Sequence, residues 1–198
     1  MKKVLVLIAA AIVCMSASAQ LQFGAKVGVD MTHFWGKDAE HGMKPSYQAG
    51  LVMEYKFNPH FAIAPEVVFA SQGGKFDAIQ FNWGDFSIAS KKKITFNTNY
   101  INVPVMLKYY VAPAFSIDFG PQVGFNVYSK ASIKDDITYD LKESTKTVDF
   151  GLGLGGTYNL TENAFVQARY TLGLTKVFEG DLNKEKNGNI QLAFGMKF

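Results

Sequence analysis

Alternation with a period of two residues runs through most of this chain, and it commits the backbone to strands whose two faces meet different surroundings. Phe23, Ala25, Val27, Val29 and Met31 are all apolar, while Gln22, Gly24, Lys26, Gly28 and Asp30 between them are small or polar. The next segment repeats the pattern, with Tyr47, Ala49, Leu51, Met53, Tyr55 and Phe57 set against Gln48, Gly50, Val52, Glu54 and Lys56. Six further segments obey it. Their apolar sets are Phe61-Ile63-Pro65-Val67-Phe69, Ile101-Val103-Val105-Leu107-Tyr109, Phe115-Ile117-Phe119-Pro121-Val123-Phe125, Val148-Phe150-Leu152-Leu154, Val166-Ala168-Tyr170-Leu172-Leu174 and Ile190-Leu192-Phe194-Met196-Phe198. None of these positions carries a charge. The pattern predicts an all-β chain of eight strands, each with one unbroken apolar face.

The start of the chain does not fit that scheme. Lys2 and Lys3 precede the apolar run Val4 to Val13, and Ala17-Ser18-Ala19 supplies the small residues that a signal peptidase accepts. The run is too short for a membrane-spanning helix, which needs about 20 apolar residues. Residues 1–19 therefore read as a cleaved signal peptide, with residues 20–198 as one domain beginning at Gln20. Cys14, the only cysteine, falls inside the leader. Ala11-Ile12-Val13 before it lacks the small residue expected ahead of a lipidated cysteine. Cleavage then leaves no thiol for disulfides, thiolate metal sites or nucleophilic catalysis. Lys2 and Lys3 are two of the 20 basic residues against 17 acidic ones, so the formal charge of +3 falls to +1 on their removal. That balance offers no electrostatic footprint for nucleic acid.

Connection lengths decide which way the apolar faces look. Asn58-Pro59-His60, Val111 to Ala114 and Asn159 to Asn163 are short turns, whereas Thr32 to Pro45, Gly73 to Thr95, Lys130 to Thr147 and Thr175 to Gly188 are long and polar. Short periplasmic turns and long outer loops mark an outer-membrane barrel. At the short-turn ends sit Phe23, Phe57, Phe61, Tyr109, Phe115, Tyr158 and Phe198, as an aromatic belt at a membrane boundary requires. A soluble barrel would turn its apolar face inward around a ligand. The expectation is an eight-stranded antiparallel up-and-down transmembrane β-barrel, with Phe194, Met196 and Phe198 on the lipid side of its final strand. Pro65, Pro104 and Pro121 lie within proposed strands and cannot donate to a ladder, so local bulges are expected there.

The stretches Phe61-Ala-Ile-Ala-Pro-Glu-Val-Val-Phe69, Tyr100-Ile-Asn-Val-Pro-Val-Met-Leu-Lys-Tyr109, Phe119-Gly-Pro-Gln-Val-Gly124 and Asp149-Phe-Gly-Leu-Gly-Leu-Gly155 resemble the PorT-like outer-membrane β-barrel family. The resemblance covers essentially the whole mature chain. It implies the barrel scaffold and tolerance of proline at these places, and it carries no common chemistry. By the same resemblance the final strand is the element that the barrel-assembly machinery recognises. Outer-membrane lipid and lipopolysaccharide are the other implied partners.

Lys26, Glu54, Glu66, Lys108, Asp118 and Arg169 fall on the inward face near the short-turn end. An eight-stranded lumen is just wide enough for side chains to fill, and charges inside it must pair. These six are expected to form a salt-bridged plug, with the Arg169 guanidinium as a hub bridging two carboxylates. An ion or proton path is the alternative for the same residues. In the second loop, Phe76, Phe81, Trp83 and Phe86 precede Lys91, Lys92 and Lys93. They form either an extended hairpin or a contact surface for another protein, and the lysines suit lipopolysaccharide phosphates. A lipid-modifying enzyme would draw on His33 or His41, yet no serine and carboxylate stand at defined spacing from either. Gly151, Gly153, Gly155 and Gly156 lie on a strand with no following helix, which excludes a dinucleotide fingerprint. The sequence therefore points to no catalytic residue, cofactor or metal. It predicts a non-enzymatic envelope barrel, with a loop-borne binding or adhesion module and a lipid-modifying enzyme as alternatives.

Overall fold

The computed structural model describes residues 20–35, 41–78, 92–133, 137–140, 147–176 and 186–198. Ten strands occupy them: β1 (Leu21–Trp35), β2 (His41–Gly42), β3 (Lys44–Lys56), β4 (Phe61–Ala78), β5 (Lys92–Ala112), β6 (Phe115–Ile133), β7 (Ile137–Asp140), β8 (Val148–Asn159), β9 (Ala164–Lys176) and β10 (Lys186–Lys197). Eight of them, all but β2 and β7, pair antiparallel with their sequence neighbours, and β10 returns to β1 to close the barrel. Closure matters because every backbone donor and acceptor in hydrocarbon has to be met within the protein.

The period-two pattern maps onto the wall without a slip. Val27, Leu51, Val67, Leu107, Phe119, Leu154, Leu192 and Phe194 all face outward and are exposed. The buried face carries Lys26, Asp30, Gln48, Glu54, Glu66, Asn102, Lys108, Asp118, Gln167 and Arg169. This reverses the usual distribution of a water-soluble domain. It becomes favourable when the outer face meets lipid, where each large apolar side chain removed from water is worth about 1.5–3 kcal/mol. Tyr55 meets Phe57 edge-on and Phe61 leans on Tyr109 with centroids 5.1 Å apart, both at the short-turn end.

β4 and β5 run on as the extended hairpin that the sequence offered for the second loop, and other strands also reach into the stretches read as loops. β4, β5 and β6 hold 18, 21 and 19 residues, against 12 in β8 and β10. A transmembrane strand needs about 9–11. Parts of all four stretches read as loops are strand, including Thr32–Trp35, Gly73–Ala78 and Lys92–Thr95. The two short strands belong to the same extension, since β2 pairs with β4 at Lys75–Phe76 and β7 pairs with the end of β6.

The prolines do not take bulges. Pairing of β4 with β5 keeps one register on both sides of Pro65 and Pro104, and β6 with β8 runs straight through Pro121. Pro65 and Pro121 both project outward. Register shifts lie instead at Tyr110–Ala112 beside a short turn, at Lys186–Gly188 of β10, and between Asn99 and Tyr100 of β5, where β6 inserts Val127. Val127 and Tyr128 are consequently both exposed in succession, and Ser129 takes the inward place. A bulge that swaps the faces at the outer end costs nothing in the lipid zone below it.

A different irregularity sits in β4. Gly73 has φ of 137°, a backbone region that a side chain disfavours. Here β4 has left β3 and has not yet met β2. The carbonyls of Gln72 and Gly73 accept from Lys44 Nζ at 3.1 Å and Thr32 Oγ1 at 2.7 Å. Side chains thus complete a ladder that the backbone leaves open.

Candidate functional site

Inward-facing side chains build two charged layers stacked along the lumen. In the inner of the two, nearest the short turns, Glu54 on β3 is the focus. Its Oε2 accepts from Lys108 Nζ and Lys197 Nζ, each at 3.1 Å, and its Oε1 accepts from the Tyr110 hydroxyl at 2.5 Å. Lys56 Nζ stands 3.9 Å from the same Oε1 and 4.9 Å from the Tyr110 ring centroid. Three strands separated in sequence, β3, β5 and β10, therefore converge on one carboxylate.

One step higher, Glu66 on β4 is held from two sides. Arg169 donates through Nη2 to Oε1 at 2.7 Å and through Nη1 to Oε2 at 3.0 Å. Lys26 Nζ donates to Oε2 at 2.6 Å and to Gln167 Oε1 at 2.8 Å. Gln167 Nε2 passes on to Thr157 Oγ1 at 3.2 Å, and Thr157 donates to Asp118 Oδ2 at 2.5 Å. Ser116 Oγ donates to the other Asp118 oxygen at 2.6 Å. Lys26, Glu66 and Arg169 are 2–4% exposed. Burial at that level is tolerable because each charge keeps a charged partner and Lys26 has a further bond to Gln167, while Arg169 Nε stays buried without one. A cavity of about 20 Å³ between the layers, lined by Glu54, Glu66 and Lys108, has room for one water molecule.

The glycine run of β8 makes the Arg169 position possible. Gly155 lies beside Arg169 in register, and a Cβ there would meet the Ala168 carbonyl and come within 2.8 Å of Arg169 Cα. A Cβ on Gly153 would stand 3.4 Å from Arg169 Cδ and 3.2 Å from Met106 Cε. The small residues clear space for a side chain on the adjoining strand, so the guanidinium reaches across to β4.

The structure brings together Lys26, Glu66 and Arg169 in one layer and Glu54 and Lys108 in the other. The hub is Glu66. Arg169 spends both its terminal nitrogens on that single carboxylate, because Asp118 is already occupied by two hydroxyls. Asp118 is nevertheless the register neighbour of Lys108. Lys197, Lys56, Tyr110, Gln167 and Thr157 were missed as partners. For Lys197 and Lys56 the signal was present, since both occupy the inward phase of alternating strands. For Gln167 and Thr157 the sequence held no such sign, because a neutral side chain in the lumen looks like filler.

Toward the opposite end the buried carboxylate of Asp30 and the half-buried one of Asp149 join the buried Lys44. Asp30 accepts from Gln48 Nε2 at 2.7 Å and Asn189 Nδ2 at 3.3 Å, and Asp149 accepts from Asn187 Nδ2 at 3.0 Å. Of the loop residues singled out in sequence, Phe81, Trp83, Phe86 and Lys91 lie outside the described residues. Phe76, Lys92 and Lys93 are placed by backbone pairing, opposite Ile94, Ala78 and Asp77 respectively. His33 faces outward, stacked on Tyr170 with centroids 6.3 Å apart, and its Nδ1 is buried without a partner. His41 pairs with Phe76 through the backbone of β2. Among the described residues no group of three or more His, Cys, Asp or Glu side chains is placed to hold a metal ion. On β10, Phe194 and Met196 project outward, as does Phe198 just beyond it, 78% exposed.

A family model described as "Outer membrane protein beta-barrel domain" matches residues 16–179. No curated protein matches the chain in sequence. Among solved structures, Neisserial surface protein A is similar at 13% identity and a TM-score of 0.55, covering 89% of this chain and 97% of that one. The attachment invasion locus protein Ail of Yersinia pestis, in complex with the heparin analogue sucrose octasulfate, gives 16% identity and 0.53, over 90% and 99%. A major outer membrane protein from Thermus thermophilus gives 16% and 0.51, over 90% and 99%. At these identities the likeness is one of fold.

Proposed function

The chain belongs to the outer membrane protein β-barrel domain family, and from that membership we propose that it is a non-enzymatic integral barrel with a filled lumen, acting at the envelope surface through its outer-end loops. Its place is the outer membrane of a Gram-negative bacterium, surrounded by lipid and lipopolysaccharide. The observation that carries the reading is the pair of buried ionic layers centred on Glu54 and Glu66, which cross the lumen with side chains from opposite walls. An eight-stranded barrel so filled leaves no continuous aqueous column.

The purified barrel in planar bilayers is expected to show no steady single-channel conductance. A reproducible conductance level would overturn the filled-lumen reading and return the same charges to the role of an ion path.

The motifs Tyr100–Tyr109 and Phe119–Gly124 support a finer placement among the PorT-like barrels. That placement brings no secretion role with it. The outward row Phe194, Met196 and Phe198, at the strand that closes against β1, is where the barrel-assembly machinery would engage. The run Lys91, Lys92 and Lys93 suits either a solvated basic face or contact with lipopolysaccharide phosphates, and Lys93 stands opposite Asp77 in register. Residues 1–19 are removed on export in this reading. The intact mass of protein recovered from the membrane should correspond to a chain starting at Gln20, and a mass retaining the leader would refute cleavage.

A further inference from the structure

The short-turn mouth of the barrel holds a cavity of about 400 Å³ lined by Lys56, Lys197, Gln22, Asn159, Thr161 and Glu162, among others. The lysines on its floor are not fully compensated. In the inner half of the lumen and at its mouth the described cations are Lys26, Lys56, Lys108, Arg169 and Lys197, and the carboxylates facing them are Glu54, Glu66 and Asp118 in the lumen with Glu162 on the cavity lining, which leaves one cation in excess. Lys108 and Lys197 share one oxygen of Glu54, which places two ammonium groups no more than about 6 Å apart across it. Lys56 adds a third, with its side chain 37% exposed toward the mouth. Like charges held this closely in a partly desolvated site attract a counter-anion.

Uncharged donors are at hand. Thr161 Oγ1 already accepts from the Asn163 and Ala164 N–H groups at 3.2 and 2.9 Å, so its O–H is left to donate. The volume falls within the range of small-molecule pockets, about 300–1,000 Å³. With short turns on the periplasmic side, the cavity opens to the periplasm.

We propose that this mouth is a binding site for a small multivalent anion of phosphate or carboxylate chemistry, gripped by Lys56 and Lys197. Glu162 on the lining tunes it by opposing the charge of the ligand. The site is independent of whether the lumen above conducts.

Calorimetric titration of the folded barrel in zwitterionic detergent at low salt, with pyrophosphate and separately with citrate, tests this. Saturable one-to-one binding is expected. Lys56→Gln should weaken it about threefold to tenfold and Glu162→Gln should strengthen it, as single charges at this distance require. Lys186→Gln, at the opposite end beside Trp35, should leave it unchanged. Heat-modifiable gel mobility verifies that each variant is folded. Saturation by pyrophosphate alone assigns phosphoryl chemistry, and saturation by citrate assigns carboxylate chemistry. The proposal is overturned if neither anion saturates, or if Lys56→Gln and Lys186→Gln weaken binding equally, since net charge alone would then account for it.

Discussion

Glu66→Ala is expected to lower the unfolding free energy of the barrel by about 3–5 kcal/mol, the cost of leaving buried charge without its partner. The change strands both Lys26 and Arg169, whose ammonium and guanidinium groups converge on that one carboxylate. Arg169→Ala should cost less, because Glu66 keeps Lys26 at 2.6 Å. Replacing all three by methionine should recover most of the loss, as apolar packing commonly matches a buried ion cluster in energy. Urea titrations in lipid vesicles, read by heat-modifiable mobility, give the order. If Arg169→Ala proved the more damaging, the hub would be the arginine.

The second large effect lies on the outer face. Leu154→Arg introduces a cation at a position 57% exposed, between Phe119 of β6 and Tyr170 of β9. In a bilayer this should cost about 2–4 kcal/mol, falling to about 0–1 kcal/mol near the interface. Leu160→Arg, similarly exposed at the short-turn end, supplies the shallow comparison. A depth-dependent difference between two leucines of similar exposure is the signature of hydrocarbon. Equal small costs would mean that the outer face meets water.

The wall of the barrel was legible because strand geometry makes parity a local property. Each apolar set, from Phe23-Val29 to Ile190-Phe198, is outward in the structure as its spacing requires. The connections were less legible. Gly73 to Thr95 is loop by composition, and the extended hairpin that the sequence offered there is present in its described parts, where β4 and β5 pair up to Ala78 and Lys92. The extension that β4, β5 and β6 form with β2 and β7 needs no apolar face, so alternation marks it only weakly. Proline was misleading in the opposite sense. Its missing N–H suggested bulges at Pro65, Pro104 and Pro121, but the ladder tolerates each omission, and a bulge appears at Val127, which has no distinctive chemistry. For the lumen, the sequence yields which charges are inside but not who faces whom. Pairing across a closed cylinder depends on shear between distant strands, and so Glu66 and Lys197 took roles that spacing along the chain could not assign.

The partners of Glu66 come from far along the chain. Lys26 is 40 residues away and Arg169 is 103, while Lys26 and Gln167 are 141 apart. No pair of consecutive hairpins contains the layer. It comes into being only once β10 has found β1 and the sheet has become a cylinder, after most strand pairing is complete. Interactions that form so late contribute little to the folding barrier and mostly to the unfolding barrier. Loss of the layer should therefore leave insertion nearly as fast as before while shortening the lifetime of the closed barrel. The ionic core acts as a latch on dissociation, in a membrane compartment where a protein once assembled has to last.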